Sequence, residues 1–276
     1  MKQSYLLIVA VLLTAVTAAF ARDDSASEKL GLKLSLQCYS FRTLSFFETV
    51  DKAAELGIKY LEIYSKQKIS PGSTEVTSAD MSDETAAAIL KKLKEAGGLR
   101  LVAYGVAPVP TDEEGARKRF EWAKKMGIEV LVTETVPNEV HDKLTKEYGI
   151  RLALHNHPKS WPPEQVLEAC KDRGPLIGSC CDVGHHYRAG RNPIEALKQL
   201  QGRLMSLHFK DLDAEKKDVP FGDGVCDAKG MLAELKRQKL KSYLSIEYER
   251  GTVEELMANI AKCVSFFDKT CAELAR

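Results

Sequence analysis

The sequence predicts an α/β protein built as a single (β/α)8 TIM barrel, and three observations carry that expectation. The first is a recurring phrase: the end of a charged amphipathic helix, a glycine, then a short apolar burst. It stands as Leu56-Gly57-Ile58-Lys59-Tyr60-Leu61-Glu62, as Met126-Gly127-Ile128-Glu129-Val130-Leu131-Val132 and as Tyr148-Gly149-Ile150-Arg151-Leu152-Ala153-Leu154, with Gly98-Leu99-Arg100-Leu101-Val102 a looser copy. Glycine suits the position just past a helix, where a positive φ is needed. The burst is too short for a helix and branched enough for a buried parallel strand. The second observation is strict alternation of such bursts with helical stretches. The third is that neither G-x-G-x-x-G nor G-x-x-x-x-G-K-[ST] occurs, the phosphate loops expected of an open doubly wound sheet.

The first element in the chain lies outside the barrel. Lys2 is followed by an apolar run, Tyr5 to Val16, and by small residues ending Ala19-Phe20-Ala21. A basic start, a short apolar stretch and an A-x-A site read as a secretory signal peptide over residues 1–21. The uncharged stretch falls short of the ~20 residues a membrane span needs. The mature chain, 22–276, is then expected to be exported, periplasmic or secreted, with no membrane anchor after cleavage. Strands follow near 34–40, 59–63, 100–106, 129–134, 151–157, 176–182, 203–209 and 243–248. Helices lie near 45–56, 82–96, 112–126, 138–148, 163–172, 192–201, 226–239 and 252–275. This count and length match one barrel domain, and no linker divides it.

Composition narrows the class of function. The 276 residues are 44% hydrophobic and 29% charged, with a net charge of +1, which argues against a nucleic-acid binder relying on a basic field. The seven cysteines are scattered and odd in number, a poor match to a disulfide framework. Most are expected to be buried small hydrophobes. One or two bridges stay open at this level.

A barrel of this kind places its active site at the C-terminal ends of the strands. Those ends are unusually polar: Glu62, Glu134, His155-Asn156-His157, Asp182, His208-Phe209-Lys210-Asp211 and Glu247. A carboxylate directly after Val130-Leu131-Val132 or Leu244-Ser245-Ile246 faces an expensive burial unless it is paired or bound to a cation. Glu134, Asp182, His208 and Glu247 therefore suggest a divalent metal site, oxygen-rich and suited to Mn²⁺ first, with Mg²⁺, Co²⁺ or Zn²⁺ as alternatives. The competing reading pairs Glu134 and Glu247 with Lys210 or Arg188 and needs no metal.

The run Cys181-Asp182-Val183-Gly184-His185 with Arg188-Ala189-Gly190, then His208-Phe209-Lys210-Asp211, Gly222-Asp223-Gly224 and Ile246-Glu247, resembles the xylose isomerase-like TIM barrels. That superfamily includes ketose 3-epimerases, hydroxypyruvate isomerases, inosose dehydratases and an apurinic endonuclease branch. The resemblance implies Glu134, Asp182, His208 and Glu247 as metal ligands and His185 as a substrate contact. It departs from the epimerases at Ala214, where they carry an arginine, and at Val140, where they carry a glutamate. The endonuclease branch uses more histidines than the six present here.

Other polar residues have two readings each. His155 and His157 share strand parity, so both face the mouth and grip substrate, or one of them is structural. Lys210 either stabilises a developing oxyanion or pairs with Asp211 or Glu247. Glu62 touches substrate or orients a ligand. Trp161, just after strand 5, is placed to stack on a sugar, whereas His141 and His186 read as surface residues. Together these features point to a metal-dependent sugar isomerase or epimerase. Glu134 and Glu247 would act as an acid/base pair next to a carbonyl, through an enediolate. The expected substrate is a non-phosphorylated sugar or keto-sugar. A lyase (dehydratase) using the same step is the alternative, with a non-catalytic sugar-binding barrel behind it. Whether the barrel forms a homo-oligomer is not written in the sequence.

Overall fold

The computed structural model describes residues 22–276; the expected signal peptide and its cleavage site lie outside the described residues. Eight parallel strands close into a barrel: β1 (Leu32–Gln37), β2 (Tyr60–Ile63), β3 (Arg100–Tyr104), β4 (Val130–Thr133), β5 (Arg151–His155), β6 (Ile177–Asp182), β7 (Leu204–Phe209) and β8 (Ser242–Ile246). Neighbours in sequence are neighbours in space, and β1 pairs β8 to close the ring, with Leu34 opposite Leu244. The barrel expected from the alternation is therefore present. Among the described residues no helix is long and apolar enough to cross a membrane.

Among the described residues ten helices surround the strands: α1 (Ser25–Leu30), α2 (Phe46–Glu55), α3 (Asp83–Glu95), α4 (Glu113–Met126), α5 (Glu139–Tyr148), α6 (Pro163–Ala169), α7 (Val183–Arg188), α8 (Pro193–Gln199), α9 (Ala228–Arg237) and α10 (Val253–Leu274). Their starts are written in side chains: Ser45 with Glu48, and Thr252 with Glu255, form capping boxes, and Ser82 and Asp112 cap α3 and α4. Gly127 and Gly149 end α4 and α5 at φ of 77° and 67°, as the recurring phrase predicts. Helices α1 and α7, and a small antiparallel pair Asp211–Leu212 with Asp218–Val219, are additions to the expected list. Strand β1 starts and ends earlier than expected, because Cys38–Phe41 turns into a 3₁₀ helix under the Gln37 cap.

Strand parity divides the core in two. Leu152, Leu154, Cys181 and Leu207 face the helices, whereas Val130, Val132, Ala153, Cys180, Met205 and Tyr243 fill the barrel interior. Cys180 and Cys181 thus face opposite ways, and all seven cysteines are buried and unpaired, so no bridge forms. The expectation that His141 and His186 lie at the surface does not hold; both are buried. His141 completes the cap of α5, donating and accepting between Asn138 and the Pro110 carbonyl.

The Lys210-Asp211 and Gly222-Asp223-Gly224 segments are joined by one carboxylate. Buried Asp211 accepts the backbone N–H groups of Leu212, Gly222, Gly224 and Cys226 at 3.0, 2.9, 3.3 and 3.1 Å. Asp211→Ala should leave those amides unpaired and lower stability by about 2–3 kcal/mol, read as a shift in the urea midpoint at unchanged slope.

Candidate active site at the barrel mouth

The inward parity of four strands delivers the site. His155 sits two residues above Ala153, Asp182 above Cys180, His208 above Ser206 and Glu247 above Ser245, so each polar tip ends a column of interior residues. His155, Asp182, His208 and Glu247 each offer one donor atom, and these atoms lie within 4.8 Å of one another. His155 Nε2 is 3.1 Å from His208 Nδ1, and Glu247 Oε2 is 3.1 Å from the same nitrogen.

Each donor is fixed from behind. His208 Nε2 donates to Glu62 Oε1 at 2.9 Å, and Glu62 Oε2 accepts from Ser245 Oγ at 2.6 Å, which meets Ser35 Oγ at 2.8 Å. A proton held on Nε2 leaves Nδ1 as the free donor. Asp182 caps α7, with Oδ1 accepting the His185 N–H at 2.7 Å, and its own backbone is paired with the Asn156 amide. That leaves Oδ2 for the centre. Gly184 keeps α7 tight, since a Cβ there would press on the Lys210 chain at 2.9 Å.

Lys210, two residues past His208, is the cation of the cluster. Its Nζ stands 3.2 Å from Asp182 Oδ2, 2.8 Å from Glu247 Oε2 and 2.8 Å from Glu249 Oε1. Burial opposes charge on Asp182, Glu247 and Lys210. Lys210, helped by the histidines, nonetheless holds Asp182 well below the carboxylate range, and Lys210 and His208 hold Glu247 low. Burial likewise opposes the ammonium, but Asp182, Glu247 and Glu249 raise the Lys210 pKa. Burial opposes charge on His208, which Cys180, Glu62 and Glu247 overcome, so its pKa rises; a metal would take that proton's place. Burial pushes His185 down to about 3 and lowers His155, leaving both neutral.

The donor set fits a divalent ion. Asp182 Oδ2 and Glu247 Oε2 are buried and accept no well-aligned hydrogen bond, even with Lys210 close by. Two carboxylates and two imidazoles suit Mn²⁺ or Zn²⁺ better than an all-oxygen site would.

Three of the four residues expected as ligands, Asp182, His208 and Glu247, thus converge, and the fourth member of their cluster is His155. Glu134 does not join them. Strand β4 ends at Thr133, one residue short, and Thr135 N turns back onto Thr133 Oγ1 at 3.0 Å. Glu134 is left 42% exposed, accepting from His157 Nδ1 at 2.6 Å, in a second group of donors that shares His155. The pairing of Glu247 with Lys210, one of the two readings open in the sequence, is present.

Above the cluster lies a cavity of about 430 Å³ lined by His155, His157, His185, Glu247 and Glu249 on one side and Gln37, Tyr39, Tyr64 and Val106 on the other. Of the expected substrate contacts, the three histidines line it. Lys210 and Glu62 lie beneath it as counterion and as support for His208. Trp161 packs against the helix-side core instead, so its place as the aromatic wall falls to Tyr39 and Tyr64, whose rings meet edge to face at 5.1 Å. Their position just after β1 and β2 was the available signal.

Residues 50–269 match the family described as Xylose isomerase-like TIM barrel. A putative uncharacterized protein from Parabacteroides distasonis ATCC 8503 superposes with a TM-score of 0.70 at 33% identity, over 87% of this chain and 99% of that one. A D-tagatose 3-epimerase-like protein shares the fold at TM-score 0.65 and 18% identity, over 88% and 98%. An inosose dehydratase of Mesomycoplasma hyopneumoniae (strain 7448) is 30% identical over 94 residues, 30% of this chain, so the match spans only 31% of that relative's length. With a closed eight-stranded barrel, a polar mouth and a profile match over most of its length, the chain belongs to the xylose isomerase-like TIM barrel family.

Proposed function

We propose that the protein is an exported, divalent-metal-dependent sugar isomerase or epimerase acting on a non-phosphorylated sugar or keto-sugar. The observation that carries this reading is the convergence of Asp182, His208, Glu247 and His155 at the floor of a cavity open to solvent. A divalent cation held there, Mn²⁺ first, would polarise a substrate carbonyl as a Lewis acid. Glu247 is ionised and lines the cavity, the state and place a base needs to take a proton from the carbon beside that carbonyl. Glu134, at the rim and bonded to His157, is the partner that returns a proton from another direction. His155, His157 and His185 offer hydrogen bonds to sugar hydroxyls, and Tyr39 and Tyr64 give an apolar wall for the C–H face of a ring.

A lyase that shares the proton-abstraction step is the second reading. It is favoured by the inosose dehydratase similarity and by Ala214 and Val140 at positions where the epimerases carry charge.

Incubating the protein with keto-sugars in D₂O and Mn²⁺ separates the two: an isomerase or epimerase exchanges a C–H for deuterium in product, and a lyase releases water. Neither outcome across a broad panel, with metal bound, would leave a non-catalytic sugar-binding barrel. Asp182→Ala and His208→Ala should each remove most of the bound metal, measured by elemental analysis, and abolish the stabilisation that metal gives. Full occupancy in both would show the ligand set to be wrong. Export rests on Lys2, the apolar run and Ala19-Phe20-Ala21. Sequencing the mature protein should start at or near Arg22, and a cytosolic chain starting at Met1 would contradict it.

A further inference from the structure

The opposite end of the barrel carries a second cavity, which the reading above does not use. Its volume is about 660 Å³, within the range that takes a small organic ligand. Lys33 near the start of β1, Arg151 at the start of β5 and Ser242 at the start of β8 line it, so it opens at the N-terminal ends of the strands. Lys29, Lys236, Lys239 and Lys241 complete a set of six cations facing two carboxylates, Glu28 and Glu129.

The six cations are gathered in one hollow without an acidic partner. Among the described residues none of them stands within 4.0 Å of a carboxylate oxygen, whereas Lys92, Lys118 and Lys125 on the outer helices are paired with Asp51, Glu114 and Asp83. Lys29 and Lys236 donate to the Ala275 and Leu274 carbonyls at the end of α10. Glu129 is already committed, accepting from Arg100 Nη2 at 3.0 Å and from the Tyr243 hydroxyl at 2.9 Å. Lys33 and Arg151 are held over the Tyr243 ring, at 5.3 and 5.9 Å from its centroid. Arg151 spends only Nη1 on protein acceptors, the Met205 carbonyl at 2.7 Å and Ser242 Oγ at 3.2 Å. The rest of its fork is left for a ligand, and a guanidinium fork matches phosphate and carboxylate oxygens. In a chain of net charge +1, this much unpaired positive charge in one hollow repels itself unless an anion enters.

We propose that this cavity binds a small polyanion, a soluble molecule with two or more phosphate, sulfate or carboxylate groups, at the end of the barrel opposite the candidate active site. The site does not depend on the reading of the mouth.

Titration calorimetry of the full chain with inorganic tripolyphosphate in metal-free buffer tests it. The expected result is saturable one-to-one binding with a Kd of about 1 mM or tighter, weakening as salt is raised. Lys239→Gln/Lys241→Gln, at exposed positions, should weaken binding about tenfold or more, equivalent to about 1.4 kcal/mol. Lys33→Gln should act in the same direction. Lys91→Gln/Lys118→Gln removes the same charge from outer helices and should leave the affinity unchanged. Absence of saturable binding would overturn the proposal. So would equal weakening in the outer-helix pair, or unchanged affinity in the cavity pair, since the anion would then follow net charge or sit elsewhere. Binding to phosphatidylglycerol vesicles without binding to tripolyphosphate would also overturn it, by replacing a soluble ligand with a surface.

Discussion

Lys210→Met is expected to destabilise the metal-free protein by about 3–5 kcal/mol, the cost of leaving buried charges without their partner. At this size that corresponds to a fall in melting temperature of roughly 6–20 °C. The reason is the position of the ammonium, in contact with Asp182, Glu247 and Glu249 in a place where Asp182 is fully buried. Methionine keeps most of the side-chain volume, so the loss reports charge rather than packing. A divalent ion at the same carboxylates supplies the missing positive charge, so adding Mn²⁺ should restore a large part of the melting temperature. Denaturation of wild type and variant with and without Mn²⁺ gives the four values needed. Equal stabilities without metal would mean that the carboxylates are not ionised together. A deficit that Mn²⁺ leaves untouched would argue against a cation site between them.

The second large effect is on rate. Glu247→Gln keeps the size and one carbonyl oxygen of the side chain but removes its basicity. Turnover on a confirmed substrate should fall by about 10²–10⁴-fold, with part of the metal retained. Glu134→Gln should fall within the same range. Because Glu134 is exposed and bonded only to His157 and Ser160, its loss should change stability by no more than about 0.5 kcal/mol. Solvent exchange at the substrate C–H then assigns the roles. The variant that still exchanges has kept the group that removes the first proton. If both variants turn over at near-normal rates, the two-glutamate mechanism fails, and His185 or Lys210 is the base to examine.

The barrel was legible because its signals are local and repeated. A glycine after α2, α3, α4 and α5 and a burst of alternating parity need no knowledge of distant contacts, and parity alone carries Asp182, His208 and Glu247 to one rim. What escaped depends on how the chain leaves a strand. Glu134 and Glu247 each lie one residue beyond a strand with inward parity. After β4, however, the chain turns back with Thr135 N on Thr133 Oγ1 and Glu134 bonds His157 at the rim, whereas Glu247 stays in the buried cluster. His155 was visible as an inward residue, yet its approach to His208 Nδ1 is a matter of distance across two strands, which spacing does not encode. The fate of Trp161 was settled by packing, since a large ring at φ of 53° turns with its backbone toward the helix layer. The roles of Lys210 and Asp211, adjacent in sequence, diverge because a strand-like chain points them to opposite sides, one to the carboxylates and one to the loop amides.

The four converging donors share an origin that bears on how the protein is assembled. His155, Asp182, His208 and Glu247 all follow residue 150, in the C-terminal half of the barrel, while Glu62, which reaches His208 from below, belongs to β2 in the first half. A ribosome therefore releases the orienting carboxylate early and the complete donor set only with the final strand. Charges that are costly to bury do not gather until nearly the whole ring exists to enclose them. A half-barrel of β5–β8 would hold every donor yet lack the Glu62 carboxylate that orients the His208 ring from below. Reuniting it with the β1–β4 half should sharpen cation affinity without adding a single ligand.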